Sequence, residues 1–192
     1  MSFITKALII GSLLSISIPF LCLSQDSGRP FQLYTVNEGL PQNYLLGLTQ
    51  DSAGFIWIGT KDGLARYDGY HFLIYRHGRD SGHTPAANNI TNLCTDHRGY
   101  IWIQYDDRAI DRYNPSTGVF EHVTSGKAWD PIRSQLTRYE LLVDHHDNLW
   151  VTTDSSGVFR YNLLSGQLHV FLPASSTVRA VMEDHSGNIW MA

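Results

Sequence analysis

Three clusters of aspartate and histidine are the residues of this 192-residue chain whose types suit metal binding. They are Asp96-His97, Asp144-His145-His146 and Asp184-His185. Imidazole nitrogens and carboxylate oxygens are common zinc ligands, and they bind at about 2 Å from the ion. Whether these clusters can share an ion therefore depends on how the fold spaces them.

Candidate catalytic groups are few. Asp106-Asp107 and Glu38 carry carboxylates, but their spacing does not indicate an acid–base pair. The sequence contains neither a G-x-S-x-G nucleophile elbow nor a G-x-x-x-x-G-K-[ST] phosphate loop. Cys94 lies in an apolar strand pattern, which favours a buried, inert thiol. The sequence predicts no catalytic residue, no cofactor and no metal, and it leaves any ligand-binding residues unknown.

The elements that must position these residues come from a repeat. Each of four tryptophans follows an aspartate by six residues, in the segments DSAGFIW, DHRGYIW, DHHDNLW and DHSGNIW. These tryptophans are Trp57, Trp102, Trp150 and Trp190, at intervals of 45, 48 and 40 residues. A period of roughly 40–50 residues with recurring Gly and Trp is typical of β-propeller blades.

Each copy predicts four short strands separated by tight turns, in an antiparallel meander. One such sheet has two apolar faces and must stack on neighbouring sheets. Residues 25–36 are predicted to form an N-terminal strand that would close the ring. The blades follow in chain order: blade one at 37–89, blade two with a long loop at 90–138, blade three at 139–176 and the start of a truncated blade four at 177–192. The fold class is therefore all-β, a partial propeller of about three and a half blades.

This architecture assigns roles to the repeated residues. Asp51 and its equivalents are best placed to close a turn by accepting backbone N–H bonds. The four tryptophans are expected to pack between blades. Neighbouring copies of one turn should lie too far apart on a ring for the Asp-His clusters to share a metal ion. Trp129 lies outside the repeat, in the loop of blade two, and is the better candidate for contact with a ligand or partner.

The ends of the chain carry further predictions. Residues 1–24 combine Lys6, the apolar run Ala7 to Leu23 and Ser24, which is typical of a secretory signal peptide; an uncleaved anchor is the alternative. The sequence stops two residues after Trp190, inside a predicted strand, so we expect a fragment or truncated reading frame. The formal net charge of −4 argues against nucleic-acid binding.

The segment from Glu38 to Tyr75, EGLPQNYLLGLTQDSAGFIWIGTKDGLARYDGYHFLIY, closely resembles the first repeat of the two-component regulator propellers. The resemblance extends over roughly residues 30–192, and Arg112-Tyr113 and Arg160-Tyr161 repeat the Arg-Tyr of the third strand. These propellers form the periplasmic sensor region of hybrid two-component histidine kinases in Bacteroidetes-type bacteria.

The resemblance implies seven-bladed rings, an exported and periplasmic location, and anchoring to the inner membrane in the full-length protein. It implies that the whole protein senses a carbohydrate, with an oligosaccharide as ligand, and controls the genes for its utilisation. Its expected partners are the remaining propeller, the membrane-bound kinase and a second copy in a homodimer. Two alternatives are the propeller of a secreted polysaccharide-degrading enzyme and a protein-binding scaffold, but the segment itself is expected not to be an enzyme.

Overall fold

A computed structural model describes residues 31–80, 82–136 and 139–192. Residues 34–192 form one compact unit of β-strands and short 3-10 helices. The strands are β1 Leu45–Gln50, β2 Ile56–Thr60, β3 Gly63–Tyr67, β4 Phe72–Tyr75, β5 Ile90–Thr95, β6 Ile101–Tyr105, β7 Ile110–Asn114, β8 Val119–His122, β9 Tyr139–Val143, β10 Asn148–Thr153, β11 Val158–Asn162, β12 Leu168–Leu172, β13 Val181–Glu183 and β14 Ile189–Met191. The 3-10 helices are Val36–Glu38, Val123–Ser125, Lys127–Trp129 and Arg133–Gln135.

The strands form three four-stranded sheets and one two-stranded sheet, each an antiparallel meander in chain order. We name them blade one (β1–β4), blade two (β5–β8), blade three (β9–β12) and blade four (β13–β14). The first strands of successive blades contact one another, β1 with β5, β5 with β9 and β9 with β13, so these strands line the axis of the array. The predicted all-β partial propeller of four-stranded antiparallel blades is confirmed.

The apolar core lies between blades, where the repeated tryptophans pack. Trp57 shares a buried cluster with Ile90 and Ile101 of blade two, and Trp102 shares one with Leu141 and Leu149 of blade three. Trp150 is 5% exposed, whereas Trp190 is 60% exposed. In these 192 residues no blade follows β14, so the packing role predicted for all four tryptophans is seen for the first three.

The strand predicted at residues 25–36 is not present in the described residues 31–36. Thr35 instead caps the 3-10 helix Val36–Glu38 through a capping box with Glu38. The Thr35 carbonyl accepts the N–H groups of Glu38 and Leu40, so this backbone turns back on itself instead of extending along a neighbouring strand. The remainder of that prediction, with the signal peptide at 1–24, lies outside the described residues.

The prediction that Trp129 is available to a ligand or partner was wrong. Trp129 ends the 3-10 helix Lys127–Trp129 and is fully buried. Its ring lies 5.0 Å from that of Tyr161, within the core between blades two and three. The loop after β8 folds into short 3-10 turns that carry this indole inward, which its position outside the repeat did not reveal.

Within residues 31–80, 82–136 and 139–192, no helix has the length and hydropathy of a membrane span.

Candidate functional site

The repeated aspartate closes the turn between the first two strands of every blade. In blade one, Oδ1 of Asp51 accepts the N–H groups of Ala53 and Phe55, both at 3.0 Å. Its Oδ2 accepts the indole N–H of Trp57 at 2.7 Å. The corresponding indole bonds measure 2.8 Å for Trp102, 2.7 Å for Trp150 and 2.8 Å for Trp190. The predicted turn closure is confirmed, and the bond to the indole is an additional role of the same carboxylate.

The Asp-His clusters lie at these turns, and side chains of neighbouring turns touch. The rings of His97 and His145 stack with centroids 5.2 Å apart, and Nδ1 of His145 lies 2.8 Å from Oε2 of Glu183. Arg98 forms an ion pair with Asp147 of the next blade. These side chains bridge the gap between blades, so neighbouring turns meet through their side chains. Among the described residues no group of three or more His, Cys, Asp or Glu is placed to hold a metal ion.

A second polar cluster lies on the outer strands of blade two. The buried carboxylate of Asp111 accepts hydrogen bonds from Tyr105 Oη at 2.7 Å and from the backbone N–H of Ala86 at 2.8 Å, and Nδ1 of His122 lies 2.7 Å from it. Burial raises the pKa of Asp111, partly offset by the hydrogen bond with His122. Because Ala86 belongs to the connector between blades one and two, the cluster ties that connector to blade two. The side chains of this cluster meet at the outer strands of the blade and not at the axis of the array.

Cys94 of β5 is half-buried and free. Burial, with a smaller contribution from nearby carboxylates, raises the pKa of its thiol to about 12. A thiol with this pKa stays protonated at neutral pH, in agreement with the inert role predicted for it.

A cavity of about 580 Å³ lies near the axis, at the end of the blades opposite the aspartate turns. The first strands of three blades contribute to it, together with the ends of β6 and β10 and the segment before β13. Its walls are formed by Leu46, Thr91, Asn92, Gln104, Glu140, Thr152, Asp154, Val178 and Arg179. No aromatic side chain is among these residues, and most of the wall is polar.

Much of this polar lining comes from one cross-strand pair of the repeat, between the first and second strands. The pair is Gly47–Gly59 in blade one, Asn92–Gln104 in blade two, Glu140–Thr152 in blade three and Ala180–Ala192 in blade four. A Cβ on Gly59 would lie 2.5 Å from Ile90 Cγ2, so glycine allows blade two to approach. Blades two and three place polar side chains at the same register. The Asp and Trp of the repeat are therefore the same in every blade, whereas the residues of this cross-strand pair differ from blade to blade.

Hydrogen bonding within the cavity orients Glu140. Nδ2 of Asn92 donates to Glu140 Oε2 at 2.9 Å, and Oδ1 of Asn92 accepts the N–H of Leu93 at 2.8 Å. Burial raises the pKa of Glu140, and the bond from Asn92 offsets this only in part. Across the pair, the hydroxyl of Thr152 is buried and has no hydrogen-bond partner among the described residues. Asn92, Glu140 and Thr152 were not predicted, although variation at a fixed offset from the Asp–Trp pair could have indicated them.

Comparison with known proteins finds a family repeat in one segment of the chain. Residues 39–62 match the family model described as two component regulator propeller. The chain is 40% identical over 70 residues to Histidine kinase P4 of Formosa agariphila, a match that covers 35% of this chain and 5% of that protein.

Two solved structures from B. thetaiotaomicron share the fold. The extracellular domain of the hybrid two component system BT3049 superposes with a TM-score of 0.66 at 23% identity, covering 83% of this chain and 23% of that one. The corresponding domain of BT4673 gives a TM-score of 0.53 at 24% identity, covering 78% and 22%. This chain therefore spans only a small part of the proteins it resembles. Residues 39–62 thus match one repeat of this family, and the stacked four-stranded blades share their fold with these extracellular domains.

Proposed function

We propose that this chain is the ligand-sensing part of a hybrid two-component histidine kinase that detects a carbohydrate and controls the genes for its utilisation. The matching repeat, the histidine kinase relative and the fold shared with extracellular domains of hybrid two-component systems support this proposal.

The cavity at the axis is the observation that carries the proposal. Its volume of about 580 Å³ falls in the range of roughly 300–1,000 Å³ found for small-molecule sites. Hydroxyl, amide and carboxylate groups on its wall can hydrogen-bond to the hydroxyls of a sugar. Because no aromatic ring is among the described lining residues, the sugar would be held by hydrogen bonds at its edges instead of by stacking.

A ligand in this cavity would contact blades two and three at once. Such a ligand shifts the population of blade arrangements by its difference in affinity for them, and this provides a route from binding to signalling. The signal would pass to a membrane-bound kinase elsewhere in the protein, within a homodimer. In this proposal the propeller is exported by the signal peptide at 1–24, lies in the periplasm and is completed by further blades.

The proposal can be tested in the bacterium that carries the gene. Transcription of polysaccharide-utilisation genes is measured during growth on single polysaccharides, with the native gene carrying Gln104→Leu or Gln50→Leu. Gln104 lines the cavity, whereas Gln50 is exposed at the opposite end of β1. We expect one polysaccharide to induce transcription, Gln104→Leu to abolish that induction and Gln50→Leu to preserve it at equal protein levels. Induction that persists in both variants would contradict the proposal.

A further inference from the structure

The charged groups around the cavity are unevenly balanced. Glu140, Asp154 and Arg179 line it, and within the described residues none of these side chains has an oppositely charged group within 4.0 Å. Asp154 and Arg179 belong to adjoining segments, since the N–H of Val178 donates to the carbonyl of Thr153. Their formal charges offset each other at that edge of the cavity. Among the described residues, the carboxylate of Glu140 is left without a compensating cation.

Glu140 is an exposed residue, and within the described residues its carboxylate accepts a side-chain hydrogen bond from Asn92 alone. A carboxylate has about four acceptor positions, and Asn92 fills one of them with its single bond to Oε2. Asn92 fixes the carboxylate between β5 and β9, and the unpartnered hydroxyl of Thr152 belongs to the residue paired with Glu140 across β9 and β10. Both residues line the cavity, so a ligand bound there can form hydrogen bonds with both.

Resting on the proposed function, we infer that the ligand is a sugar that carries a protonated amino group, with Glu140 as its counter-charge and Thr152 bonded to a neighbouring hydroxyl. An ammonium group satisfies a carboxylate better than a hydroxyl does, because a hydrogen bond with charge on both partners is about twice as strong as a neutral one.

The test uses three disaccharides that share one β-1,4-linked glucose backbone and differ at C2: chitosan disaccharide, N,N′-diacetylchitobiose and cellobiose. Their affinities for the 192-residue chain are measured by calorimetry at a pH of about 6, where the free amine is protonated. We expect chitosan disaccharide to bind about tenfold more tightly than cellobiose. Glu140→Gln should remove this preference.

The control variant is Glu121→Gln, which removes a carboxylate on β8 that pairs with Arg112, far from the cavity lining. Non-specific attraction of an amine to an acidic surface would survive Glu140→Gln, and that outcome overturns the inference. Equal binding of all three disaccharides also overturns it, while the proposed sugar-sensing function stands. If none of the three binds, the inference fails, and the transcription experiment decides the proposed function separately.

Discussion

The carboxylate of Asp96 accepts the indole N–H of Trp102 at 2.8 Å while its other oxygen closes the turn that precedes that tryptophan. One side chain thus fixes the turn and also satisfies the only polar atom of the largest side chain in the blade. The six-residue spacing in all four copies follows from this geometry, because the carboxylate must reach both the turn backbone and the indole.

Replacing Asp96 should destabilise the chain more than replacing its counterpart in blade four. Asp96→Ala removes two bonds to backbone N–H groups and leaves the buried N–H of Trp102 without an acceptor, so we expect a loss of about 2–4 kcal/mol in the free energy of unfolding. Asp184→Ala removes the same pattern where Trp190 is 60% exposed, and water can replace the lost bonds. Urea denaturation checks this, and equal losses in the two variants would contradict it.

Two buried tryptophans should respond differently to loss of the indole N–H. Trp102→Phe leaves Asp96 without a donor it now uses, whereas Nε1 of Trp129 is buried without a hydrogen-bond partner among the described residues. Both substitutions lose apolar contact. We therefore expect Trp102→Phe to cost about 1–2 kcal/mol more than Trp129→Phe in chemical denaturation. A larger cost for Trp129→Phe would mean that its indole has a role in stability that this contact pattern lacks.

Adjacent threonines on β10 provide a matched pair for the cavity. The hydroxyl of Thr153 donates to the carbonyl of Gly157 at 2.8 Å and accepts the N–H of Ser156 at 2.8 Å, so Thr153→Val should cost about 1–3 kcal/mol. Thr152→Val removes a buried hydroxyl that has no partner in the described part of the chain, and we expect it to leave stability unchanged or improved while it weakens ligand binding. Unfolding and ligand titration are measured on both variants. Strong destabilisation by Thr152→Val would show that this hydroxyl serves the fold.

The stability of blade three should depend on pH through Asp144. Burial alone would raise the pKa of Asp144, but hydrogen bonds from Asn148 and the indole of Trp150 outweigh it and hold the pKa below its ordinary value of 3.8. This contribution to stability is therefore present above that value and is lost as the pH falls through the lowered pKa. Asp144→Asn should flatten the acid side of a plot of unfolding free energy against pH.

Asp111 provides the control, because its contribution to stability should change with pH in the direction opposite to that of Asp144. Because burial raises its pKa above the ordinary value, its contribution to stability is greatest at low pH and declines as the pH rises through the raised pKa. Asp111→Asn should therefore change the pH profile in the opposite direction from Asp144→Asn. Profiles that shift in the same direction for both variants would contradict these assignments.

The fold could be predicted from the sequence because the repeat fixes it at several levels at once. The Asp-to-Trp spacing, the Gly-containing turns and the short apolar strands all indicate the same four-stranded blade. Residues 31–36 and Trp129 lie outside the repeat. The described residues 31–36 do not form a strand, and the prediction that Trp129 is accessible was wrong. Strand formation at 31–36 depends on a partner strand, and burial of Trp129 depends on a loop that folds over a neighbouring blade. Neither can be read from local composition.

The candidate site was missed for a related reason. Asn92, Glu140 and Thr152 are ordinary polar residues in strands, and only the register between first and second strands brings them together at the axis. The Asp-His clusters attracted attention because of their chemistry, yet they serve turns and contacts between blades. Residue type alone therefore did not indicate the cavity at the opposite end of the blades.

Mapping of a bound ligand on the chain tests the central claim most directly. The isotope-labelled chain is titrated with oligosaccharides released from the inducing polysaccharide, and amide chemical shifts are recorded by NMR. If the cavity is the sensing site, saturable shifts will centre on Asn92, Gln104, Glu140 and Thr152. Shifts confined to the turns around His97 and His145, or the absence of saturable shifts, would contradict the account.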